Sequence, residues 1–167
     1  MSDSKPLWKP AKRRIEAANL TAFMRSASRR WGETLSDYDS LHAWSVTQPE
    51  QFWTTLWEVA GVIGERGERG LIDAHRMPGA KWFPDARLNF AENLLRDYAT
   101  KQGGADALVF WGEDKVKGRA SRAELHRAVA QTAAASRAMG VQSGDRVAAY
   151  LPNVPAAIVA MLATASI

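Results

Sequence analysis

The amino-acid sequence predicts an α/β protein in which a helical, tryptophan-rich region precedes the first strands and helices of a layered α/β domain. Three observations predict this class. A helix-start pattern at Ser121 is followed by an apolar strand over residues 147–151 and an apolar helix from Pro155. A hairpin pattern over residues 107–120 precedes them, and six of the seven tryptophans lie in the first half of the chain. Strands that alternate with helices are typical of layered α/β folds.

Composition is that of a soluble globular chain, since 46% of the residues are apolar and 24% are charged. The length of 167 residues suffices for one domain with one hydrophobic core, or for the opening of a longer protein. The absence of cysteine excludes disulfides, thiolate zinc sites and cysteine nucleophiles. Together with the lack of a signal-peptide pattern, it favours a cytoplasmic location.

The net charge of +4 is concentrated at the N-terminus. Residues 1–30 hold eight Lys and Arg against Asp3 and Glu16, whereas residues 31–167 hold fourteen basic and sixteen acidic residues. Residues 31–167 therefore carry no basic surface that could bind phosphates, and no nucleic-acid partner is expected. For the basic arm itself, solvation is favoured over binding to a polyanion.

The first third of the chain is predicted to form an arm and two helices. Residues 1–14 are polar and contain two prolines, which predicts a loosely held arm. Apolar residues then recur at three- and four-residue intervals up to Gly32, which predicts an amphipathic helix with the face Ile15, Leu20, Phe23, Met24, Ala27 and Trp31. Residues 38–46 are interpreted as an aromatic-rich connection.

A second helix is predicted to begin at Thr47, because Thr47 and Glu50 fit a capping box and Pro49 suits a first turn. Its predicted core stripe is Phe52, Trp53, Leu56, Trp57 and Ala60. The tryptophans are interpreted as large core and interface anchors, with an aromatic cage or a surface that stacks on bases as the alternatives. Glycines 61, 64, 67 and 70 recur every third residue. No strand precedes them and no Gly-Lys-Ser/Thr follows, so a flexible linker is favoured over a phosphate loop.

Residues 75–87 have the punctuation of irregular surface chain, and a helix with Asn89 as its N-cap is predicted to run to Tyr98. After residues 101–105 the helical patterns give way to a strand pattern, which predicts a domain boundary near residue 103. The N-terminal region would span residues 1–102, and residues 103–167 would open the α/β domain.

The second part is predicted to contain five elements, three strands and two helices. A strand at 107–111 and its antiparallel return at 116–120 lead into a helix that starts with the Ser121–Glu124 capping box and ends at Gly140. The predicted apolar stripe of this helix is Leu125, Val129, Thr132, Ala133 and Met139. Residues 147–167 contain no charge over 21 positions, but Pro152, Asn153 and Pro155 divide them into a strand and a helix. Each piece is too short to cross a bilayer, so a buried core is favoured over a membrane span. The chain stops inside this apolar helix, and it is expected to be the front part of a larger enzyme.

No catalytic, cofactor-binding or metal-ligating residue is assigned. His42, His75 and His126 are scattered and lack a second ligand at metal spacing. The carboxylate pairs Asp37/Asp39 and Glu113/Asp114 lie in turn-like sequence, where solvated side chains are expected. The sequence contains no Gly-x-Ser-x-Gly motif, which would indicate a nucleophilic serine.

Four runs carry a resemblance to a known family: Tyr-Asp-Ser-Leu-His-Ala-Trp-Ser-Val at 38–46, Pro-Glu-Gln-Phe-Trp-Thr-Thr-Leu-Trp at 49–57, Trp-Phe-Pro-Asp-Ala-Arg-Leu-Asn-Phe-Ala-Glu-Asn-Leu-Leu at 82–95, and Gly-Asp-Arg-Val-Ala-Ala-Tyr-Leu-Pro-Asn-Val-Pro at 144–155. The first three resemble the N-terminal region of acetoacetyl-CoA synthetases, which belong to the adenylate-forming acyl-CoA synthetase superfamily. The fourth resembles the first strand–helix unit of that superfamily. The Leu-His-Ala-Trp-Ser-Val and Leu-Asn-Phe-Ala-Glu-Asn segments favour the acetoacetyl branch over the acetyl and propionyl ones.

The resemblance implies a helical region that wraps the front of an adenylate-forming (AMP-binding) domain, here truncated. It implies a ligase that joins acetoacetate to coenzyme A with Mg²⁺-bound ATP, through an acyl-adenylate. The phosphate loop, the magnesium carboxylate and the lid lysine of the family match no residue before Ile167, so the remainder of its own chain is the expected partner. A ligase for acetate or propionate and a non-catalytic interaction module stay open as alternatives.

Overall fold

The computed structural model describes residues 7–98, 100, 102–113 and 115–167. Its helices are α1 (Lys12–Glu16), α2 (Asn19–Trp31), α3 (Tyr38–Thr47), α4 (Pro49–Val59), α5 (Phe90–Leu95), α6 (Arg122–Ala138) and α7 (Pro155–Ala165). Its strands are β1 (Leu71–Ile72), β2 (Lys81–Trp82), β3 (Asp106–Gly112) and β4 (Val116–Ser121). The chain divides into two compact units. The first unit takes residues up to 62 and 66–86, and the second unit takes residues 63–65 and 87–167.

The core of the first unit lies between α2, α3 and α4. Its buried residues are Phe23, Ala27, Leu41 and Trp44, and Phe52 packs against them. The Phe52 ring meets Phe23 and Trp44 edge-on, at centroid distances of 5.5 and 6.0 Å. Edge-to-face pairs add stability beyond the area they bury, so aromatic contacts hold the three helices together.

The first predicted helix forms, but it is divided. Ala17 and Ala18 separate α1 from α2, and Gly32 closes α2 with a φ of +72°, as its position predicts. Phe23 and Ala27 are buried, whereas Ile15 and Leu20 are 49% and 46% exposed. The predicted face is therefore wrong at its N-terminal end, because the break after Glu16 ends the periodicity.

The interpretation of residues 38–46 as a connection is wrong, because they form helix α3. Asp37 caps this helix: its side chain accepts a hydrogen bond from the Ser40 N–H at 2.8 Å. The Ser40 hydroxyl oxygen in turn accepts a hydrogen bond from the Asp37 N–H at 3.1 Å. The pair is a capping box with serine in place of the usual glutamate. Leu41 and Trp44, three residues apart, supply the buried face.

The predicted start of the next helix is also wrong at its cap. Thr47 ends α3, and its hydroxyl donates to the Ala43 carbonyl, so it cannot cap α4. Pro49 occupies the first turn as predicted. Along α4 the buried residues are Thr54 and Thr55 rather than Trp53, which is 42% exposed. Thr55 is satisfied there by the Trp31 indole N–H at 2.8 Å.

The glycine run is packed chain and not the predicted flexible linker. A side-chain carbon at Gly64 would lie 2.6 Å from the Arg87 carbonyl oxygen, and one at Gly67 would overlap Asp85. Gly70 donates its N–H to the Glu50 carboxylate at 3.1 Å. The glycines are needed for close backbone approach. Residues 75–80 lie in turns between β1 and β2, as predicted. The prediction of irregular chain is wrong at Lys81–Trp82, because these residues pair with Leu71–Ile72.

The second unit contains the predicted hairpin. β3 pairs antiparallel with β4, so that Val109 faces Arg119 and Trp111 faces Lys117. α5 begins after Asn89, whose side chain accepts from the Glu92 N–H at 3.0 Å, which confirms the predicted cap. This helix ends at Leu95 rather than near Tyr98.

The core of the second unit lies where α5, α6 and α7 meet. Its buried residues are Ala91, Leu95, Leu125, Val129, Ala133, Leu162 and Ala163. The Ser121–Glu124 capping box and the left-handed Gly140 (φ +95°) are confirmed. Met139 is 78% exposed, because α6 has ended at Ala138, and its place in the predicted stripe is wrong. The helix predicted from Pro155 is confirmed as α7.

The strand predicted at residues 147–151 is absent from the described part of the chain. The segment is irregular, with Val147 half exposed and Tyr150 fully exposed. A strand forms only beside another strand that pairs its N–H and C=O groups, and the described residues place none next to this segment. No helix among the described residues is long and apolar enough to cross a membrane.

Candidate functional site

The three histidines do not converge. His42 stacks on Tyr38 in α3 with a centroid distance of 6.1 Å, His75 is exposed between β1 and β2, and His126 lies on α6. Within the described residues, no group of three or more His, Asp and Glu could hold a metal ion.

The carboxylates with shifted pKa values serve the fold. The hydrogen bond from the Ser40 backbone N–H lowers the pKa of Asp37, and that from the Ser121 backbone N–H lowers the pKa of Glu124. A hydrogen bond from Arg69 lowers the pKa of Asp85 and ties the two ends of the β1–β2 segment together. Each shift stabilises the charged form that caps or pairs, whereas an acid–base catalyst near neutral pH needs a raised carboxyl pKa. Asp114 lies outside the described residues.

The first unit carries an apolar groove of about 640 Å³ between α2, α3 and α4. Phe23, Leu41, Phe52 and Leu56 line it, and Tyr38 and His42 stand among the residues at its side. The described residues that line it include no Lys, Arg, Asp or Glu. We call it the α2–α4 groove.

The second unit carries a groove of about 620 Å³ beside α5 and α6. Ala91, Leu95, Val129 and Ala133 line it together with charged residues of both signs. Arg137 at its side donates to the Ser166 carbonyl at 2.8 Å, next to the end of α7.

Asn89, the N-cap of α5, and Asn93 within α5 both make hydrogen bonds to other segments of the second unit, and sequence patterns revealed only the capping role of Asn89. Asn89 caps α5 and also donates its amide N–H to the Ala165 carbonyl at 2.8 Å. Asn93 accepts from the Ile63 N–H and donates to the Ile63 carbonyl, both at 2.8 Å. We call this set the asparagine clamp. Its signal in the sequence is two amides four residues apart, on one helix face, inside an apolar run.

Family models match most of the chain. Residues 38–94 match the model described as acetyl-coenzyme A synthetase N-terminus, and residues 95–167 match that of the AMP-binding enzymes. These matches, with the α/β architecture, define the class as acyl-CoA synthetases of the AMP-binding type.

Comparison with individual relatives narrows the class of acyl-CoA synthetases to one family. The chain is 48% identical over its whole length to an acetoacetyl-coenzyme A synthetase of Rhizobium meliloti (strain 1021), of which it covers 25%. The solved structure of acetoacetyl-CoA synthetase from Streptomyces lividans superposes with a TM-score of 0.82 at 43% identity, over 97% of this chain and 25% of that one. A malonamoyl-CoA synthetase of Penicillium aethiopicum is 35% identical, over 91% of this chain and 22% of the relative. The chain belongs to the acetoacetyl-CoA synthetase family and spans about a quarter of the length of these relatives.

Proposed function

We propose that this chain forms the front part of an acid–thiol ligase that converts acetoacetate, ATP and coenzyme A to acetoacetyl-CoA, AMP and pyrophosphate. The observation that carries the proposal is the 48% identity, over all 167 residues, to the Rhizobium meliloti acetoacetyl-coenzyme A synthetase. The AMP-binding match over residues 95–167 supports adenylation as the activating step.

In this reaction a carboxylate oxygen of acetoacetate attacks the α-phosphorus of ATP, with Mg²⁺ as the metal, and the bond to the β-phosphate breaks. Pyrophosphate leaves, and the acyl-adenylate is a mixed anhydride. The thiol of coenzyme A then attacks the acyl carbon, and AMP leaves. No residue of this chain is assigned to either step. The asparagine clamp contributes by holding the end of α7 and residue 63 on α5.

The domain arrangement proposed with this function has a helical region over residues 1–102 and the start of the adenylate-forming domain at 103–167. The boundary near residue 103 stays a prediction. The family models change at residues 94 and 95, and the compact units change at residues 86 and 87.

A ligase for a different short acid is the second candidate, because a relative at 35% identity is a malonamoyl-CoA synthetase. The test is acid-dependent exchange of labelled pyrophosphate into ATP by the whole protein that contains this chain. Acetoacetate, acetate, propionate and malonamate are compared at equal concentration, and chain 1–167 alone is the control. We expect the highest kcat/KM with acetoacetate. A higher value with another acid would reassign the substrate, and no exchange with any acid would favour an interaction module.

A further inference from the structure

The C-terminal end of α7 is held by two side chains from other parts of the second unit. Asn89 donates its amide N–H to the Ala165 carbonyl, and Arg137 donates to the Ser166 carbonyl, both at 2.8 Å. Asn89 is the N-cap of α5, and Arg137 lies in the last turn of α6. We call this pair of hydrogen bonds the α7 stop.

The α7 stop occupies the carbonyls that a longer helix would need. In a continuing helix each carbonyl accepts from the N–H four residues further along the chain. The carbonyls of residues 162–164 accept from the N–H groups of Ser166 and Ile167. Those of residues 165 and 166 would need N–H groups beyond Ile167 to extend the helix. The side chains of Asn89 and Arg137 take their place, so the helix is ended by tertiary contacts.

The chemistry of the two side chains suits this role. The Asn89 amide oxygen accepts from the Glu92 N–H at 3.0 Å, which leaves the amide nitrogen to donate to α7. Asp is an equally good N-cap but has no donor. The Arg137 guanidinium is always charged, and a cation interacts favourably with the carbonyl dipoles at the C-terminus of a helix.

The apolar core beneath α7 does not by itself select the residue at which the helix ends. Leu162 and Ala163 are buried one turn before the end, and Ile167 packs against the same core. Apolar contacts are non-directional, so they hold the helix in place without fixing its last residue. Hydrogen bonds to two particular carbonyls are directional, and they make this selection.

The last residue of α7 has consequences for the chain that follows it. In a layered α/β domain a helix of this kind leads from one strand to the next. A slip of one residue turns every side chain of a strand to the opposite face of the sheet. The end point of α7 therefore decides on which face of the next strand each residue lies.

We propose that Asn89 and Arg137 are positioning residues of the ligase, because they end α7 at Ala165 and thereby set the register of the chain that follows. This inference rests on the proposed function. Asn89 lies in the stretch that matches the synthetase N-terminus model, whereas Arg137 and α7 lie in the AMP-binding match. The first stretch thus contributes a hydrogen bond on which the geometry of the second depends.

The first experiment measures acetoacetate-dependent pyrophosphate exchange by the whole protein that contains this chain. Asn89→Asp keeps the cap and removes the donor, and Arg137→Met removes the guanidinium. Arg127→Met, at an exposed position on the same helix, is the matched control. Each variant is assayed well below its melting temperature, so that all of them are folded.

We expect kcat/KM to fall about tenfold in Asn89→Asp and in Arg137→Met, mainly through a higher KM. Only molecules with the correct register bind substrate, and saturating substrate draws the others into it. Arg137→Lys keeps a cationic donor and should lie between Arg137→Met and the unchanged protein. Arg127→Met should leave kcat/KM unchanged. A contact that only stabilises the fold would lower the melting temperature and leave KM as it is.

The second experiment is hydrogen exchange at the N–H groups of Ser166 and Ile167, which reports the α7 stop directly. We expect faster hydrogen exchange there in both variants, while the Glu92 N–H keeps its protection in Asn89→Asp. Unchanged hydrogen exchange overturns the proposal, and so does faster hydrogen exchange with an unchanged kcat/KM. If the unchanged protein shows no pyrophosphate exchange with any acid, the ligase proposal fails and this one fails with it. Activity of the unchanged protein therefore separates the two failures.

Discussion

The two units differ in what their apolar residues pack against. In the first unit, three helices close around Phe23, Leu41 and Trp44 through edge-to-face rings. In the second unit, α5, α6 and α7 bury mainly alanine and leucine, while residues 147–151 stay exposed. The difference arises because helices complete their hydrogen bonds within themselves, whereas a strand depends on a neighbour. The helices of both units therefore form without a partner for their backbone groups, whereas residues 147–151 lack a paired strand among the described residues.

The largest expected effect tests whether α7 is a true core element despite the exposed segment before it. Leu162 is fully buried and Met161 beside it is 51% exposed. We expect Leu162→Ala to lower the free energy of unfolding by about 2–5 kcal/mol, because it leaves a cavity among α5, α6 and α7. Met161→Ala should change it by less than about 1 kcal/mol. Urea denaturation monitored by circular dichroism measures both, and equal effects would mean that α7 is loosely packed.

A second pair of variants tests the close packing of the glycine run in the first unit. Gly67 and Gly32 have nearly the same positive φ, +75° and +72°. An added methyl group at Gly67 would overlap Asp85, whereas nothing lies within 4 Å of one at Gly32. We expect Gly67→Ala to cost about 1–3 kcal/mol more than Gly32→Ala, since both share the left-handed strain and only one adds a clash. Thermal unfolding of the two variants supplies the measurement, and similar losses would restore the flexible-linker interpretation.

The asparagine clamp is the corresponding polar contact of the second unit. Asn93→Ala removes both hydrogen bonds to Ile63, and we expect a loss of about 1 kcal/mol because Ile63 is partly exposed and water replaces the amide. Hydrogen exchange at the Ile63 N–H should become faster in this variant. Asn93→Asp keeps the acceptor and should retain part of the protection. Unchanged exchange in Asn93→Ala would show that the clamp does not hold residue 63.

Sequence patterns predicted the elements that depend on neighbours in sequence. The Ser121–Glu124 capping box, the Asn89 cap, the β3–β4 hairpin and the glycine stops at residues 32 and 140 are all confirmed. The helix over residues 38–47 was not predicted, because its capping box is an Asp–Ser pair that lacks the common Glu or Gln. The prediction that Thr47 caps the next helix was wrong, because the Thr47 hydroxyl donates to the Ala43 carbonyl within α3.

Tertiary contacts account for what sequence could not predict about the candidate site. No local pattern shows that Asn89 reaches Ala165, 76 residues away, or that Gly67 lies against Asp85. The α2–α4 groove likewise needs three helices in place before it exists. The prediction that the chain carries no catalytic or ligand-binding residue stays a prediction.

The smallest expected effect compares one capped carboxylate in each unit. Hydrogen bonds from backbone N–H groups lower the pKa of Asp37 and of Glu124, so both stay charged in the folded chain at lower pH than in the unfolded one. Their contribution is complete above the unfolded pKa values, about 3.9 for Asp and 4.3 for Glu. It is lost as pH falls through the lower folded values.

Two isosteric variants keep the caps and remove the titration. Asn is as good an N-cap as Asp, and Gln replaces Glu in a capping box. We expect Asp37→Asn and Glu124→Gln each to show a shallower fall of the urea midpoint below about pH 4 than the unchanged chain. A fall as steep as that of the unchanged chain would show that the carboxylate is not held as a charged acceptor. Because Asp37 starts α3 and Glu124 starts α6, probes placed in each unit tell which unit loses its cap first as the chain is acidified.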